Sequence, residues 1–583
     1  MALKEEIRAV LDNMILSASG WRGIFGAADQ IEKPHRIICA GAAYVFTKYL
    51  KKLHKKPLVL LGTDTRPTGE AMVSAMIPVL IAEDCEVLYA GITSAPEIMA
   101  WAGTKSGRAG TGFIYISASH NPIEHNGIKF GLTDGGVLDG GEALKLIADF
   151  RAFIAEESNV DKIEGILKEE LAQKSESSKD EAYKAYYDFS GEVAFGHSSV
   201  ASALKEGLAA RPLGVVCDFN GSARTVSIDK EFFASLGLKF ESINDKPGQI
   251  VHRIVPEGES LIPCEQLLED AHKRDPSFLL GYVPDCDGDR GNLVIWDEKA
   301  GKARALEAQE VFALACVAEL SHLAYAGESL SKAAVVVNDP TSMRVDRIAE
   351  AFGVEVFRAE VGEANVVALA RKKREEGYTV RILGEGSAGG NITHPSAVRD
   401  PLHTVIALVK LLSVRSQAGK PGFFEIWRER SGQKHGEDFT LADIIESLPK
   451  FVTTSAYSQK AVLQIKTKDH SLLKDRYQKI FLREWEQRKD ELKSKFGICS
   501  WEAVAYNGLV EKRGLENFGA AGKGGFKLLF FNGDKKEIAY IWMRGSATEP
   551  VFRIMADIEG TDVEAEQYLI DWQQHMIMEA DNN

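Results

Sequence analysis

Residues 57–69 read PLVLLGTDTRPTG, an unbroken apolar run that stops at Gly62 and gives way to a polar loop. A helical pattern follows through Met72 and Ile77, and a second apolar run begins near Glu86. Short continuous apolar strands that alternate with helices are typical of α/β domains, whose sheets are covered on both faces. This stretch therefore predicts a strand–helix–strand unit of a parallel or mixed sheet.

The same unit recurs twice further along the chain. It begins with LGVVCDFNGSART at 213–225 and again with KAAVVVNDPTSMRVDRIAEAFGVEVF at 332–357. Each copy starts with an apolar run, passes through a polar loop and continues into a helical pattern. Repetition of one supersecondary unit predicts related domains in series.

The last part of the chain has a different pattern. Residues 469–496 are dense in Lys, Glu, Arg and Leu and predict a long exposed helix. Three strands without intervening helices follow at 526–532, 537–543 and 551–558. The predicted fold class is α/β, with three serial mixed-sheet domains that share a topology and a smaller α+β domain at the C-terminus. The predicted domains are 1–205, 206–305, 306–425 and 426–583.

Composition excludes several function classes. The 583 residues carry a net charge of −14, so neither nucleic acid nor an anionic membrane is expected as a partner. The seven cysteines are scattered singly, which suits a reducing compartment.

The longest apolar run of the sequence, Val311 to Ala318, ends at Glu319, well short of the roughly 18 residues that span a bilayer. We expect a cytoplasmic protein, a monomer or small homo-oligomer, with positive charge concentrated locally if its ligand is an anion.

The segment TGFIYISASHNPIEHNGIKFG, at 111–131, places a hydroxyl, an imidazole and an ammonium close together. Ser119 and His120 follow an apolar strand, and Lys129 lies on the next short strand. Ser, Asn and Pro also favour an ordinary capped turn. A hydroxyl can nevertheless become a covalent phosphoryl carrier when neighbouring groups handle its proton and charge. Ser119 is therefore a candidate nucleophile.

The segment GYVPDCDGDRGNLVIW, at 281–296, has carboxylates at alternate positions of a turn, those of Asp285, Asp287 and Asp289. Carboxylates in this arrangement can bind one hard cation such as Mg²⁺, and without a cation they repel one another. An EF-hand loop is excluded because its twelfth position, here Trp296, requires glutamate. Arg290 adjoins the carboxylates and could hold an anionic phosphoryl oxygen.

The segment VRILGEGSAGGN, at 380–391, presents Glu385 and Ser387 among glycines. It is not a P-loop, because no Gly-Lys-Ser/Thr follows. A carboxylate beside a hydroxyl suits hydrogen bonding to vicinal sugar hydroxyls. The alternative interpretation is a flexible glycine-rich turn.

The segment IWMRGSATEPVFRI, at 541–554, has the composition of a phosphate-binding loop. Small residues let backbone N–H groups approach an anion, while hydroxyls and a guanidinium add donors. The candidate ligands are Arg544, Gly545, Ser546, Ala547, Thr548 and Arg553. Alone, this segment would be interpreted as a polar hairpin.

In this order the four segments resemble the loops of the α-D-phosphohexomutases, a family that includes phosphoglucomutase, phosphomannomutase and phosphoglucosamine mutase. The resemblance spans residues from about 20 to about 555. Its motifs are Ser119-His120-Asn121-Pro122 for the phosphoserine loop, Asp285 to Arg290 for the metal loop, Gly384 to Ser387 for the sugar loop and Arg544 to Pro550 for the phosphate loop. Gly20-Trp21-Arg22-Gly23 and Asp64-Thr65-Arg66 resemble two N-terminal signatures.

The chain also departs from the family pattern. Ala547 lies where the family usually has glycine, and Cys286 lies inside the metal loop. Gly362-Glu363-Ala364 occupies the place where many members carry a His or Lys near the sugar. These departures leave the phosphoryl chemistry intact and leave the identity of the sugar open.

The resemblance implies domains around a central cleft and interconversion of hexose 1-phosphate and hexose 6-phosphate, with glucose or mannose as the sugar. The reaction would pass through a phosphoserine at Ser119 and a bound hexose 1,6-bisphosphate, which also acts as activator. Mg²⁺ would be held by Ser119, Asp285, Asp287 and Asp289. The other expected catalytic residues are His120, Lys129, Arg22 and Arg290. Glu385 and Ser387 would bind sugar hydroxyls, and the phosphate loop with Arg553 would anchor the phosphate that is not reacting.

Three alternatives remain at this point. One is a phosphoglucosamine mutase. A second is a phosphatase of the HAD type with Asp285 as nucleophile, disfavoured because Asp289 lies where that family usually has Thr or Val. The third is a non-catalytic sugar-phosphate sensor, which would need no phosphoryl acceptor.

Overall fold

The structure is a computed structural model that describes residues 2–17, 19–168, 178–417, 419–434, 438–545 and 551–582. It forms two compact units. The first unit contains Met1–Leu306 and Ile392–Val409, and the second contains Glu307–Asn391 and Lys410–Asn583. The domain boundaries drawn from the sequence stay predictions.

The first sheet of the first unit has the strand order β1-β2-β6-β5-β3-β4. In chain order its strands are Ile15–Ser17, Gly20–Ile24, Leu58–Thr63, Glu86–Ile92, Thr111–Ile116 and His125–Leu132 for β1 to β6. β3 pairs parallel with β4 and β5, whereas β6 pairs antiparallel with β5 and β2. The sheet is therefore mixed, as predicted.

Helices cover both faces of this sheet. They are α1 (Ala2–Asp12), α2 (Lys33–Lys51), α3 (Gly69–Ala82), α4 (Ala95–Gly103), α5 (Gly140–Ala155), α6 (Glu157–Lys168) and α7 (Lys179–Phe195). Helix α8 (Ser198–Ala210) follows α7 and contacts it. Val59 and Leu61 of β3 pack in the core formed with α2 and α3, while Leu58 and Leu60 pack in the core formed with α4. Side chains alternate across a strand, so burial of both faces requires the unbroken apolar run seen in the sequence.

The second sheet of the first unit has the order β11-β10-β9-β7-β8. Its strands are β7 (Gly214–Asp218), β8 (Lys239–Ile243), β9 (Phe278–Pro284), β10 (Gly291–Asp297) and β11 (Lys302–Ala305), with helices α9 (Asp229–Ser235) and α10 (Ile262–Arg274). β7 pairs parallel with β8 and β9, and β9 pairs antiparallel with β10.

The third sheet has the order β13-β12-β14-β15. Its strands are β12 (Ala334–Asn338), β13 (Glu355–Ala359), β14 (Ile382–Glu385) and β15 (Gly390–Thr393), with helices α11 (Ala308–Ala326), α12 (Arg344–Phe352), α13 (Glu363–Glu375) and α14 (Pro401–Ser413). β12 pairs parallel with both of its neighbours. In all three sheets the first strand of the repeat lies between the second and the third, which confirms the predicted shared topology.

The C-terminal sheet is antiparallel, in the order β16-β22-β21-β20-β18-β19, with β17 also paired to β22. Its strands are β16 (Phe451–Thr453), β17 (Val462–Gln464), β18 (Ser500–Asn507), β19 (Val510–Arg513), β20 (Gly525–Phe531), β21 (Glu537–Gly545) and β22 (Val551–Glu559). Its associated helices are α17 (His470–Phe496) and α18 (Val563–Asn582). Helix α15 (Phe423–Arg430) instead packs against α11 and α12 and is followed by α16 (Leu441–Glu446). The predicted α+β C-terminal domain is confirmed.

The predicted long helix is α17, but the expectation that it is exposed is wrong for one face. Leu473, Tyr477, Phe481 and Leu492 are fully buried in the core of the C-terminal sheet. They form a narrow apolar stripe at helical spacing among many charged residues. The helix is therefore anchored to the sheet along its length.

Helix α11 contains the apolar run Val311 to Ala318, and buried Glu319 lies on it. Glu319 accepts hydrogen bonds at 2.6 Å from Arg381 and from Lys410. Arg381 directly precedes β14, so this ion-pair cluster ties α11 to the strand that delivers Glu385. In the described part of the chain, none of the helices has the length and apolarity needed to cross a membrane.

Glu319→Gln is expected to destabilise the second unit by about 3–5 kcal/mol, because it removes the buried negative charge that pairs with two buried cations. Urea unfolding followed by circular dichroism measures the change. The control is Glu328→Gln, which removes an exposed carboxylate just beyond the same helix. Equal midpoints for the two variants would show that the buried cluster does not stabilise this unit.

Candidate active site

The loop that carries Ser119 follows β5 and is held by one arginine. Arg66 is fully buried, and all five of its N–H donors are used. Its Nε donates to Asp64 at 3.2 Å. The two terminal nitrogens donate to four carbonyl oxygens of the loop at 2.6–2.9 Å, those of Ser119, Asn121, Pro122 and His125. This contact fixes the loop backbone before any ligand binds.

Ser119 has a left-handed backbone, with φ at 54°. A non-glycine residue in this region is uncommon and often marks a functional position. Its Oγ donates to Asp285 Oδ2 at 2.7 Å and lies 3.3 Å from His120 Nδ1. The candidate nucleophile is therefore in direct contact with the first carboxylate of the predicted metal loop.

The metal loop connects β9 to β10, and neighbouring elements fix its backbone. Gly288 has a positive φ of 69°, and a Cβ there would lie 2.5 Å from the side chain of Arg224. Arg224 donates to the Gly288 carbonyl at 3.3 Å, and the backbone nitrogen of Ala95 donates to the carbonyl of Asp287 at 2.8 Å. Glycine is required here because a side chain would clash with this buried support.

The three carboxylates of the loop converge. One oxygen each of Asp285, Asp287 and Asp289 lies within 4.8 Å of the others, and all three residues are buried. Lys129 Nζ donates to Asp287 Oδ2 at 2.6 Å, and Ser117 Oγ donates to the same oxygen at 2.9 Å. The first two predicted loops thus form one site.

The electrostatics of this triad suit a divalent cation. Burial and the charges of the other two carboxylates raise the pKa of Asp285 well above its usual range. Burial also opposes ionisation of Asp289, but Arg399 and Lys129 lower the pKa of that carboxyl. The Oδ1 atoms of Asp287 and Asp289 are buried without a hydrogen-bond partner. Unpartnered buried carboxylate oxygens are what Mg²⁺ would bind, so the residues fit the metal that the resemblance implies.

Arginine side chains also contact the triad. Arg399 Nη2 donates to Asp289 Oδ2 at 2.8 Å, and Arg290 Nε lies 3.9 Å from Asp289 Oδ1. The charge of Arg290, then burial and Arg22, lower the pKa of His120 to about 2, so its imidazole is neutral. Burial opposes the charge of Lys129, but Asp287 and Asp289 raise the pKa of the ammonium. The local positive charge expected for an acidic chain with an anionic ligand is present here.

The predicted sugar loop lies in the second unit, where β14 delivers Glu385 and a short 3₁₀ turn contains Ser387. Both side chains are buried. Asn338, at the end of β12, donates to Ser387 Oγ at 2.9 Å, and the backbone nitrogen of Gly362 donates to Glu385 Oε1 at 2.8 Å. These contacts fix the orientation of the carboxylate and the hydroxyl.

The predicted phosphate loop follows β21 in the same unit. Arg544 and Arg553 are directly opposite on β21 and β22, so both side chains lie on one face of the sheet. Arg544 Nε donates to Glu360 Oε1 at 3.0 Å. Because Glu360 and Gly362 belong to one segment, that segment contacts both the sugar loop and the phosphate loop. Ser546, Ala547 and Thr548 lie outside the described residues.

Sequence reasoning missed several residues of these sites. No motif of the sequence marks Arg399, although it contacts the triad, and Arg66 belongs only to the Asp64-Thr65-Arg66 signature. Asn338 was likewise not connected to the sugar loop. The one signal available for Arg66 is its place between Thr65 and Pro67 in a loop after a strand, which does not specify a partner. The roles of the predicted site residues stay predictions.

Two family models match the chain. The model for phosphoglucomutase/phosphomannomutase, alpha/beta/alpha domain I, matches residues 13–154. The model for phosphoglucomutase/phosphomannomutase, alpha/beta/alpha domain III, matches residues 310–422. The first range contains Ser119 and Lys129, and the second contains Glu385 and Ser387.

Curated relatives extend the similarity over most of the chain. A phosphoglucomutase/phosphomannomutase of Thermococcus kodakarensis is 26% identical over 552 residues, which are 94% of this chain and 96% of the relative. A phosphoglucosamine mutase of Clostridium kluyveri is 28% identical over 376 residues, which are 64% of this chain and 72% of the relative. The two names differ in the sugar and agree in the type of reaction.

Solved structures share the fold. A phosphoglucomutase/phosphomannomutase family protein from Burkholderia thailandensis has a TM-score of 0.62 at 18% identity, and the match covers 97% of each chain. The open form of the Paramecium phosphoglucomutase pp63/parafusin has a TM-score of 0.62 at 15% identity, over 94% of this chain and 93% of that one.

Proposed function

Because the chain belongs to the α-D-phosphohexomutase superfamily, we propose that it interconverts hexose 1-phosphate and hexose 6-phosphate, with glucose and mannose as the sugars, through a phosphoserine at Ser119. The observation that carries this proposal is the contact of Ser119 Oγ with Asp285, 2.7 Å away in a buried carboxylate triad. A phosphoryl acceptor next to a divalent-cation site is the arrangement that phosphoryl transfer requires.

In the proposed cycle, phosphorylated Ser119 gives its phosphoryl group to the free hydroxyl of a bound hexose phosphate. The bond from phosphorus to Ser119 Oγ breaks and a bond from phosphorus to the sugar oxygen forms. Lys129 gives its proton to the leaving Ser119 oxygen and regains one from the sugar hydroxyl. The resulting hexose 1,6-bisphosphate reorients in the site, and its other phosphoryl group is then transferred to Ser119. The net result is an isomerisation with no external phosphate donor.

The residues of the first unit have distinct roles in this proposal. Lys129 is the general acid/base and begins as the acid, since Asp287 and Asp289 favour its charged form. Neutral His120 orients the Ser119 oxygen from 3.3 Å. The guanidinium groups of the site, those of Arg22, Arg290 and Arg399, bind the oxygens of the transferring phosphoryl group.

Asp285, Asp287 and Asp289, with an oxygen on Ser119, would hold Mg²⁺. When bound, the cation neutralises charge on the transferring phosphoryl group, which is the main source of catalysis in this type of reaction. The two buried carboxylate oxygens that accept no hydrogen bond, Asp287 Oδ1 and Asp289 Oδ1, support this assignment. Lys129 also donates a hydrogen bond to Asp287. In this proposal the Asp287 carboxylate therefore both binds the metal and holds the proton donor.

In the second unit, Glu385 and Ser387 would bind O3 and O4 of the sugar. Glucose and mannose share these hydroxyls and differ at C2, so recognition limited to O3 and O4 accepts both. Arg544, Gly545, Ser546, Ala547, Thr548 and Arg553 would anchor the phosphate that is not reacting. A bisphosphate that reorients in the site must present each of its two phosphates to this anchor in turn. This again favours recognition of the hydroxyls that glucose and mannose share.

A coupled assay with Mg²⁺ and a hexose 1,6-bisphosphate activator tests the proposed function. We expect glucose 1-phosphate and mannose 1-phosphate to be turned over with kcat/KM values within about tenfold of each other, since a contact limited to shared groups discriminates weakly. A preference of more than about tenfold for glucosamine 1-phosphate would replace the glucose and mannose assignment by that of the phosphoglucosamine mutases. No turnover of any of the three would contradict the mutase proposal.

A further inference from the structure

A buried arginine that has no role in the proposed cycle contacts the metal loop. Arg224 lies in a short 3₁₀ turn between β7 and α9, and its side chain is fully buried. Its Nε donates to Asp229 at 2.8 Å, and its Nη2 donates to the hydroxyl of Tyr186 at 3.0 Å. Its Nη1 donates both to the carbonyl of Gly288 at 3.3 Å and to Oδ1 of Asp400 at 3.1 Å. The planar fork of a guanidinium can serve this many acceptors in fixed directions.

The carboxylate of Asp400 links this arginine to the triad. The hydroxyl of Tyr186, which accepts from Arg224, donates to Oδ2 of Asp400 at 2.6 Å. The same carboxylate accepts a hydrogen bond of 2.9 Å from a backbone nitrogen in the first turn of α14. Arg399, the residue just before Asp400, donates to Asp289 at 2.8 Å. This pair of neighbours in the chain therefore connects Arg224 to the triad.

Arg224 thus supports the turn of the metal loop in two ways. One is direct, because its aliphatic part packs on Gly288, where an added Cβ would lie 2.5 Å from Cγ and 2.8 Å from Cδ of Arg224. The other passes through Asp400 to Arg399 and Asp289. Because Gly288 and Asp289 are neighbours, the position of Arg224 fixes the spacing between the loop and Arg399. Lysine would keep the charge but not the directions of these bonds, since all its donors belong to one nitrogen.

We propose that Arg224 is a positioning residue for phosphoryl transfer, which holds Arg399 and the metal loop at a fixed spacing through Asp400 and Gly288. The proposal rests on the proposed function, in which Arg399 binds the transferring phosphoryl group. Such spacing matters because a misplacement of about 1 Å can lower turnover by about 10²-fold. The sugar contacts that we propose lie in the second unit and do not involve Arg224. The effect is therefore expected in kcat and in the affinity for Mg²⁺, and much less in KM.

Two variants of the full-length protein test the proposal. Arg224→Lys is expected to lower kcat for glucose 1-phosphate about 10²-fold and to weaken Mg²⁺ binding about tenfold, with KM within about threefold of the wild type. Tyr186→Phe removes only the hydroxyl between Arg224 and Asp400. Because that hydroxyl is one contact further from the metal loop, we expect kcat about tenfold lower and Mg²⁺ binding about fivefold weaker. Isothermal titration measures Mg²⁺ binding.

Each variant has a matched control in the same unit. For Tyr186→Phe it is Tyr187→Phe, at the next position of α7, where the ring packs against Phe232. For Arg224→Lys it is Arg274→Lys, which alters an exposed arginine of α10. Both controls should keep the kcat and the Mg²⁺ affinity of the wild type.

Unfolding measurements separate positioning from a contribution to stability alone. Both test variants are expected to unfold at a lower temperature than the wild type, so kcat and Mg²⁺ affinity are measured where circular dichroism shows each variant to be folded. Should Arg224→Lys not fold, Tyr186→Phe decides by the same two quantities. Mg²⁺ affinity can be measured even if the protein turns over no hexose phosphate, so this proposal and the mutase assignment can fail separately. A Mg²⁺ affinity within about twofold of the wild type, or an unchanged kcat in an active protein, would overturn the positioning role.

Discussion

Replacing Ser119 by alanine is expected to lower mutase turnover by about 10⁴-fold or more, since the variant lacks the oxygen that we propose as the phosphoryl carrier. The sugar and phosphate contacts that we propose in the second unit do not involve Ser119, so binding of glucose 1-phosphate is expected to stay within a few-fold of the wild type. A coupled assay measures turnover, and isothermal titration measures binding. The predicted effect is thus on the chemical step alone.

The backbone of Ser119 provides a further comparison. Its positive φ of 54° suits glycine, is tolerated by small residues and disfavours β-branched side chains. Ser119→Gly is therefore expected to fold at least as well as Ser119→Ala and to be equally inactive. Ser119→Thr keeps a hydroxyl, but we expect it to be strongly impaired because threonine does not readily adopt this conformation.

Ser106→Ala is the matched control for these variants, since it removes an exposed hydroxyl just beyond α4 in the same unit. It should retain full activity. Turnover of Ser119→Ala within tenfold of the wild type would show that another group carries the phosphoryl.

Asp287→Asn is expected to reduce turnover by about 10³-fold, which corresponds to about 4 kcal/mol of transition-state stabilisation. The substitution preserves the shape of the side chain and removes one negative charge from the metal site. It also removes the nearer ionic partner of Lys129, 2.6 Å away, and leaves Asp289 at 3.6 Å. The variant should bind Mg²⁺ more weakly, which isothermal titration measures directly.

Thermal unfolding gives a readout of the same site that does not depend on activity. A ligand that binds only the native state raises the unfolding midpoint, so Mg²⁺ should raise the midpoint of the wild type and not that of Asp287→Asn. Asp270→Asn is the control, because it removes an exposed carboxylate from α10 in the same unit. Equal Mg²⁺ responses of the wild type and Asp287→Asn would contradict the assignment of the triad as the metal site.

The parts of the fold that the sequence predicts are those with a local signal. β3 is buried on both faces, and this appears in the sequence as an unbroken apolar run. The repeat of that run, near 213 and 332, was sufficient to predict the shared topology. The burial of α17 was not predicted, since Leu473, Tyr477 and Phe481 form a stripe too narrow to stand out among the charged residues.

The residues of the candidate site likewise fall into those with a local sequence signal and those without one. Ser119 and the triad belong to short contiguous motifs, so they could be found from the sequence. Arg399 contacts Asp289 across 110 positions of the chain, and Arg66 holds carbonyls 53–59 positions away. Such contacts depend on how strands and helices pack, and no local pattern specifies them. The central cleft that the resemblance implies stays a prediction for the same reason.

Labelling of the phosphoryl carrier tests the central claim most directly. The protein is incubated with Mg²⁺ and hexose 1,6-bisphosphate that carries ³²P, and the labelled peptide is identified by mass spectrometry. The account predicts an acid-stable phosphoserine at position 119 that loses its label to added hexose monophosphate. Label on Asp285 as a hydroxylamine-sensitive acyl phosphate, or no labelled peptide at all, would contradict it.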